Sequence, residues 1–218
     1  MIGRGFLPET LARFRVGYDS RATVEGLFRY GFPSVVIPYD SGLSYYQVRV
    51  IPHEDGSEIT STIDGKPIRY RMPREATTGI PEPLFNVNVI YHRRVVIFTE
   101  GTVDAMSVTQ GIQGTDYEAT VGAAALCGKE PSRLIAKLQE RPSDALLLFL
   151  LDDDGPGRKA AEDVGDQLRS IGHRDFKIIN SGNVLHGFKD ANALLQHDPG
   201  RMPEAVREIL SQARNFRP

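Results

Sequence analysis

Apolar and polar residues follow two different rhythms along this chain, and the change falls near residue 90. Before it, the apolar runs are short and broken by proline and glycine. Residues 8–14 set Leu7, Leu11 and Phe14 along one side of a short helix. Residues 33–39 read as a short strand stopped by Pro38, residues 43–51 as a second strand, and residues 68–72 as a third in which apolar and basic side chains alternate. Asp64-Gly65 is a turn signal, and residues 75–87, with three prolines or glycines, read as a connector. Nothing in this stretch has the spacing of a parallel repeat.

From residue 95 onward the apolar runs become continuous and alternate with helical periodicity. Strands are expected at 95–99, 118–121 (ending at Gly122), 146–151 and 176–179. Helices are expected at 103–110, 131–139, 156–171, 191–196 and 203–213, with Pro131 suited to a first helical turn. Buried strands alternating with helices predict a parallel sheet joined by right-handed crossovers. The expected fold class is α/β: a parallel-sheet domain with flanking helices, preceded by a smaller mixed α+β subdomain carrying a basic strand. The expected division is 1–92 for the first subdomain, 93–200 for the parallel domain and 201–218 for a C-terminal helix.

Two of the expected strands end abruptly in acid. The first runs into Glu100-Gly101-Thr102-Val103-Asp104, the second into Asp152-Asp153-Asp154-Gly155-Pro156-Gly157. In an open parallel sheet ligands bind beyond the C-terminal strand tips, so acids from neighbouring tips would converge there. Two carboxylates 4 Å apart repel by about 4 kcal/mol at an effective dielectric of about 20. A fold that gathers them is holding positive charge, and an oxygen-only donor set suits Mg²⁺ or Mn²⁺. If the backbone stays extended after the strand, Asp152 and Asp154 share a face and Asp153 turns away. Each element also has a plainer reading. Asp104 suits the first turn of a helix, the aspartate run suits a solvated loop, and Asp190 suits an N-cap.

Composition narrows the classes. Of 218 residues, 40% are hydrophobic, enough for a sizeable core. A formal net charge of −2 gives no global attraction to nucleic acid, so any such binding needs a local basic surface. The single cysteine, Cys127, excludes a disulfide framework and a multi-cysteine zinc site; it reads as a small buried hydrophobe in a reducing compartment. The five histidines show no ligand spacing, and His186 is given no role. No secretory or membrane-length apolar run occurs, so a soluble cytoplasmic protein without a membrane partner is expected.

Taken together, Glu100-Gly101-Thr102-Val103-Asp104, the glycine motif at Gly122, and Asp152-Asp153-Asp154 with Gly157-Arg158 resemble the Toprim domain. Lys189-Asp190-Ala191-Asn192 resembles an element of phage-type primases. Arg4-Gly5-Phe6, Glu9-Thr10, Phe14, Gly17-Tyr18, Ile37-Pro38-Tyr39-Asp40, Arg49, Arg69-Tyr70, Pro73 and Leu84-Phe85-Asn86 resemble the catalytic (RNA polymerase) core of DnaG-type and phage-type bacterial primases. The resemblance implies a metal-dependent nucleotidyltransferase that makes short RNA primers on single-stranded DNA from ribonucleoside triphosphates. It implies Glu100, Asp152 and Asp154 as catalytic residues, and Glu100, Asp104, Asp152, Asp154 and Asp190 around Mg²⁺ or Mn²⁺. Glu100 can be read as a metal ligand or as an acid/base group.

The resemblance also implies Arg49 and Arg69 as nucleotide or template contacts; Lys66 and Arg71 join them by proximity, and Lys189 by its place in the fourth motif. A replicative helicase is a further partner in that family. One cysteine leaves no zinc module of the kind that precedes many primase cores, so the chain reads as an excised core or a short relative. A Toprim nuclease and a non-catalytic nucleic-acid-binding module are the alternatives.

Overall fold

The structure, a computed structural model, describes residues 1–20, 32–39, 45–60, 65–73, 75, 79–127, 131–152 and 155–214. By internal contacts the chain divides into two units, Met1–Thr10 with Leu84–Pro218, and Leu11–Pro83. The first ten residues therefore belong with the second half of the sequence.

The larger unit is built on four parallel strands, β5 (Val95–Thr99), β6 (Val121–Ala125), β7 (Leu146–Leu150) and β8 (Phe176–Ile178), in the order β6-β5-β7-β8. The expected parallel α/β sheet is thus present. The central strands β5 and β7 are almost wholly apolar because helices cover both faces, whereas the edge strand β8 carries Lys177. Val96, Phe98, Ala124, Leu147 and Phe149 face a core completed by helices α3 (Ser132–Glu140) and α4 (Gly155–Ser170), with Phe98 and Phe149 stacked at 5.4 Å. Helix α2 (Thr102–Ile112) packs against β5 and β6 and against two later helices, α6 (Ala191–His197) and α7 (Met202–Arg214). Enclosed in this way, α2 buries polar residues too; Ser107 and Thr109 satisfy their hydroxyls on the carbonyls of Val103 and Ala105.

One strand differs from expectation. Residues 118–120 form a turn, and the strand begins at Val121, so Gly122 lies inside it rather than at its end. The run Val-Gly-Ala-Ala-Ala has little intrinsic strand preference; it is a strand because neighbours demand a thin one. A Cβ on Gly122 would stand 2.9 Å from Arg93 Cγ and 3.1 Å from Val89 Cβ, in the 3₁₀ segment Val87–Tyr91 and just after it. Within the expected connector, Phe85 pairs antiparallel with Ala125, and Asn86 donates to the Ala123 carbonyl. A short helix α5 (Ser181–Val184), capped by Asn180, was not expected.

The N-terminal ten residues are strapped to α2 by side-chain hydrogen bonds. Gln110 accepts from the Leu7 amide and donates to the Gly5 carbonyl, and the Thr10 hydroxyl donates to Gln113. Gly5 adopts φ +82°, and a Cβ there would meet the Leu195 carbonyl oxygen at 2.9 Å. The expected short helix is present as α1 (Pro8–Arg13), with Thr10 buried, Leu11 and Phe14 half-buried and Leu7 exposed, so the expected apolar side is only partly covered. Among the described residues, no helix is long and apolar enough to cross a membrane.

The smaller unit holds an antiparallel sheet, β1 (Gly17–Asp19), β2 (Ser34–Pro38), β3 (Tyr46–Val50) and β4 (Tyr70–Arg71), in that order. The three expected strands correspond to β2, β3 and β4, each shorter than the sequence suggested; β1 was not anticipated, being only three residues long. Tyr39 and Tyr45 pack edge to face at 5.1 Å, and the Tyr45 hydroxyl donates to the Pro73 carbonyl. Asp40 and Asp64 lie outside the described residues.

Candidate active site

The strand order places a topological switch between β5 and β7. The chain leaves β5 through α2 toward β6 on one side, and leaves β7 through α4 toward β8 on the other, so a crevice opens between the two tips. Thr99 pairs with Leu150, which brings Glu100 and Asp152 to the mouth of that crevice from adjacent strands. Glu100 is held through its backbone: the β5–β6 ladder runs past the strand ends, with the Leu126 amide on the Thr99 carbonyl and the Cys127 amide on the Glu100 carbonyl. Cys127 is half-buried, with φ of 56°.

A small chamber of about 10 Å³ sits here, lined by Thr99, Glu100, Asp104, Leu150, Leu151, Asp152, Ser181, Leu185, Asp190 and Ala191. That is room for about one water molecule or one bare cation. Four of the five acids expected around a metal, Glu100, Asp104, Asp152 and Asp190, line it. The fifth, Asp154, lies outside the described residues, as does Asp153. Among the described residues, no three or more His, Cys, Asp or Glu side chains form a group that could hold a metal ion as the side chains stand. The donor chemistry, carboxylate oxygens around an ion-sized space, fits a hard dication.

Each acid is oriented by the chain. Asp190 caps α6, accepting from the Ala193 amide at 2.6 Å, and it also lines the chamber, so both readings of this residue hold together. Asp104, in the first turn of α2, accepts from the Asn192 amide at 3.0 Å. Burial pushes the Asp104 carboxyl up to about 7, and the like charges of Asp190 and Asp152 push the same way against the Asn192 hydrogen bond and Arg4. Such a group is short of positive charge. Gly101 has extended backbone, so its role is space rather than turn geometry: a Cβ would stand 3.1 Å from Asp104 Oδ2.

Two residues matter here that the motifs alone did not assign. Asn192, buried, receives Arg4 Nη1 and Gln196 Nε2 on Oδ1, and donates Nδ2 to the Arg4 carbonyl and Ser107 Oγ. It ties the N-terminal strap, α2 and α6 together directly behind Asp104. The signal for it was its place two residues after Asp190 in the fourth motif. Ser181 is buried, its Oγ has no hydrogen-bond partner among the described residues, and it lines the chamber wall. Nothing in its sequence context, a serine just inside a helix cap, marks it out.

The expected basic residues are spread over the two units, Lys189 in the larger and Arg49, Lys66, Arg69 and Arg71 in the smaller. Lys189 is exposed beside the chamber, with Nζ 3.4 Å from Asp190 Oδ2. Arg69 donates Nε to Glu58 Oε1 at 2.9 Å, and Lys66 is exposed three residues earlier. Arg49 stands opposite Tyr70 and Arg71 opposite Val48, so the two arginines occupy opposite faces of the antiparallel sheet. His186, to which the sequence gave no role, has φ of 52°; its Nε2 lies 3.9 Å from Glu208 and is not among the chamber-lining atoms.

Comparison with known proteins bears on the larger unit first. Residues 97–195 match the family described as Toprim-like. A search of curated proteins finds no match. Among solved structures, the chain is similar to a chain in a complex of bacteriophage T7 lagging-strand DNA polymerase interacting with primase domains of two gp4 subunits bound to an RNA/DNA hybrid and dTTP. The TM-score is 0.61 at 17% identity, covering 100% of this chain and 91% of that one. It is also similar to the primase fragment of the bacteriophage T7 primase-helicase protein, with TM-score 0.60 and 17% identity over 96% and 72% of the two chains. At this identity the likeness is one of fold.

Proposed function

We propose that this chain, with its Toprim-like domain at 97–195 and a fold resembling phage-type primase domains, is a nucleotidyltransferase core that makes short RNA primers on single-stranded DNA in the cytoplasm during DNA replication. The observation that carries the reading is the chamber at the β5–β7 switch, where Glu100, Asp104, Asp152 and Asp190 converge on a space the size of one ion. Four carboxylates so placed, one of them deeply buried, repel one another unless a cation joins them.

In this proposal Glu100, Asp152 and Asp154 hold Mg²⁺ or Mn²⁺, with Asp104 and Asp190 completing the acidic surround. When bound, such divalent ions supply activation of an attacking 3′-hydroxyl and offset charge on leaving pyrophosphate. The chain's own work is positioning. Cys127 fixes Glu100 through the backbone, Asn192 fixes Asp104, and the α6 amide of Ala193 fixes Asp190. The unspent Ser181 hydroxyl is a donor for a ligand oxygen at the chamber wall. Lys189 beside the chamber, and Arg49, Lys66, Arg69 and Arg71 on the smaller unit, supply positive charge for triphosphate and template; a replicative helicase is the further partner this function would engage.

The test is incubation of the full chain with single-stranded template, labelled ribonucleotides and Mg²⁺ or Mn²⁺, resolved on a gel. New short RNA is expected. Degradation of the template without nucleotides would make the chain a nuclease, and binding without either product would make it a nucleic-acid-binding module.

A further inference from the structure

A second and larger space lies on the other side of the β7 tip, toward β8. It is a cleft of about 240 Å³, room for about eight water molecules. Helix α4 lines it with Gly157, Arg158 and Ala161, and the strand ends line it with Leu151, Ile178 and Ile179. Gly157 and Ala161 are four residues apart, on one face of the helix, so α4 puts almost no side-chain bulk into the cleft there. The strand wall is fixed: the Ile179 amide bonds the Phe149 carbonyl and carries the β7–β8 ladder to this point. Ile178 is 39% exposed, a large apolar side chain left open to solvent.

The polar lining is small in number and sits where β8 passes into α5. Asn180 spends Oδ1 on the Asn183 amide and keeps Nδ2 as a donor. Ser181 is buried, and its Oγ has no hydrogen-bond partner among the described residues. A buried hydroxyl in that state calls for a partner from outside the chain. Ser181 and Asp152 line both this cleft and the chamber, and a hydroxyl can accept on one side while it donates on the other.

We infer that this cleft binds a purine ring, with the ring between α4 and the strand ends and its polar edge on Asn180, Ser181 and Asp152. Apolar walls with a few polar groups are the make-up of a small-molecule site. A slot bordered by Gly157 and Ala161 favours a flat ligand over a branched one, and the volume suits a bicyclic ring with a short substituent. The ring edge of a purine alternates acceptors with donors, which matches an amide donor, a hydroxyl and a carboxylate. Arg158 can lay its guanidinium on the ring face. A base being copied must offer its edge to a template, and here that edge is spent on the protein. The ligand is therefore a free nucleoside or nucleotide bound in addition to any polymerisation substrate, and the inference stands apart from the proposed reaction.

The experiment is calorimetric titration of the full chain with adenosine, with adenosine monophosphate and with inorganic phosphate, all in chelator so that binding through a divalent ion does not contribute. Adenosine is expected to bind with a dissociation constant of about 0.1–1 mM. Equal affinity for the monophosphate identifies a nucleoside site; tighter binding of the monophosphate identifies a nucleotide site whose phosphate lies near the positive end of α4. Ala161→Leu fills the slot and is expected to weaken adenosine binding at least tenfold. Ile178→Ala removes apolar contact at an exposed position, where folding is not at stake, and is expected to weaken it about threefold. Melting temperatures of both variants check the fold, and if Ala161→Leu melts early, Ile178→Ala decides.

No adenosine binding by the parent chain, or parent-like affinity in both variants, overturns the site. Binding of phosphate without adenosine also overturns it, and makes the cleft an anion site at the end of α4. The two proposals fail separately: adenosine binding without primer synthesis leaves the cleft assigned, and primer synthesis without adenosine binding leaves the catalytic reading in place.

Discussion

The two sheets of this protein handle charge in opposite ways. In the parallel sheet the two central strands, β5 and β7, carry no charge, and acids stand just beyond their tips, where Glu100, Asp104, Asp152 and Asp190 line one small chamber. In the antiparallel sheet the charges sit within the strands and are divided between faces, Arg49 on one and Arg71 on the other. A parallel sheet buried on both sides can offer chemistry only at its ends, so sequence-distant acids are forced together. A small antiparallel sheet with an open face can spread polar and aromatic groups along its rows. The first arrangement concentrates charge of one sign; the second divides charge between two faces.

The sharpest way to break the contrast is to discharge the chamber. Asp152→Asn or Glu100→Gln is expected to lower primer synthesis by about two to three orders of magnitude, the scale of losing one charge-stabilising group in a catalytic site. The melting temperature of the metal-free protein should hold or rise because repulsion is relieved. Full activity in Asp152→Asn, measured on the same gel, would remove that residue from the site.

A second effect is a pH dependence confined to the larger unit. Unfolded, Asp104 titrates near 3.8; folded and without metal, near 7. Between those values the folded chain binds the extra proton. The stabilisation this gives is complete below the unfolded value and is lost as pH rises through about 7. Asp104→Asn is therefore expected to stabilise the metal-free protein by a few kcal/mol at pH 8 and to change little at pH 4, read from urea unfolding at the two pH values. An equal effect at both would show that Asp104 does not carry the repulsion.

Asn192→Ala removes the side chain that joins the strap, α2 and α6, and leaves buried partners unsatisfied. A loss of about 2–3 kcal/mol is expected by urea unfolding. The smallest change is Gly101→Ala, which presses on Asp104 Oδ2 at 3.1 Å without straining the backbone. It should cost about 1 kcal/mol or less, while shifting metal affinity if Asp104 borders the ion; calorimetric titration with Mn²⁺ reads this.

How legible the molecule was in its sequence follows the same division. Val95–Thr99 and Leu146–Leu150 announced themselves as apolar runs cut off by acid, and acids beyond both tips line the chamber. Val121–Ala125 did not, because its alanines and glycine are set by what packs on them, Val89 and Arg93, rather than by strand preference. The N-terminal helix was legible, but its attachment was not: Gln110, Gln113 and Asn192 hold the first ten residues through hydrogen bonds, which leave no hydrophobic period to find. Ser181 reaches the chamber only through tertiary packing. In the smaller unit the basic residues were visible one by one, but their separation onto two faces depends on register, which Arg49, Tyr70 and Arg71 do not reveal until their partners are known.

The central claim, that the converging carboxylates hold a dication, is tested most directly by Mn²⁺ binding to the full chain, followed by electron paramagnetic resonance at pH 8. The parent protein is expected to bind Mn²⁺ and to melt at a higher temperature when it does, with both effects lost in Glu100→Gln and Asp152→Asn. Undiminished Mn²⁺ binding in both variants would contradict the account.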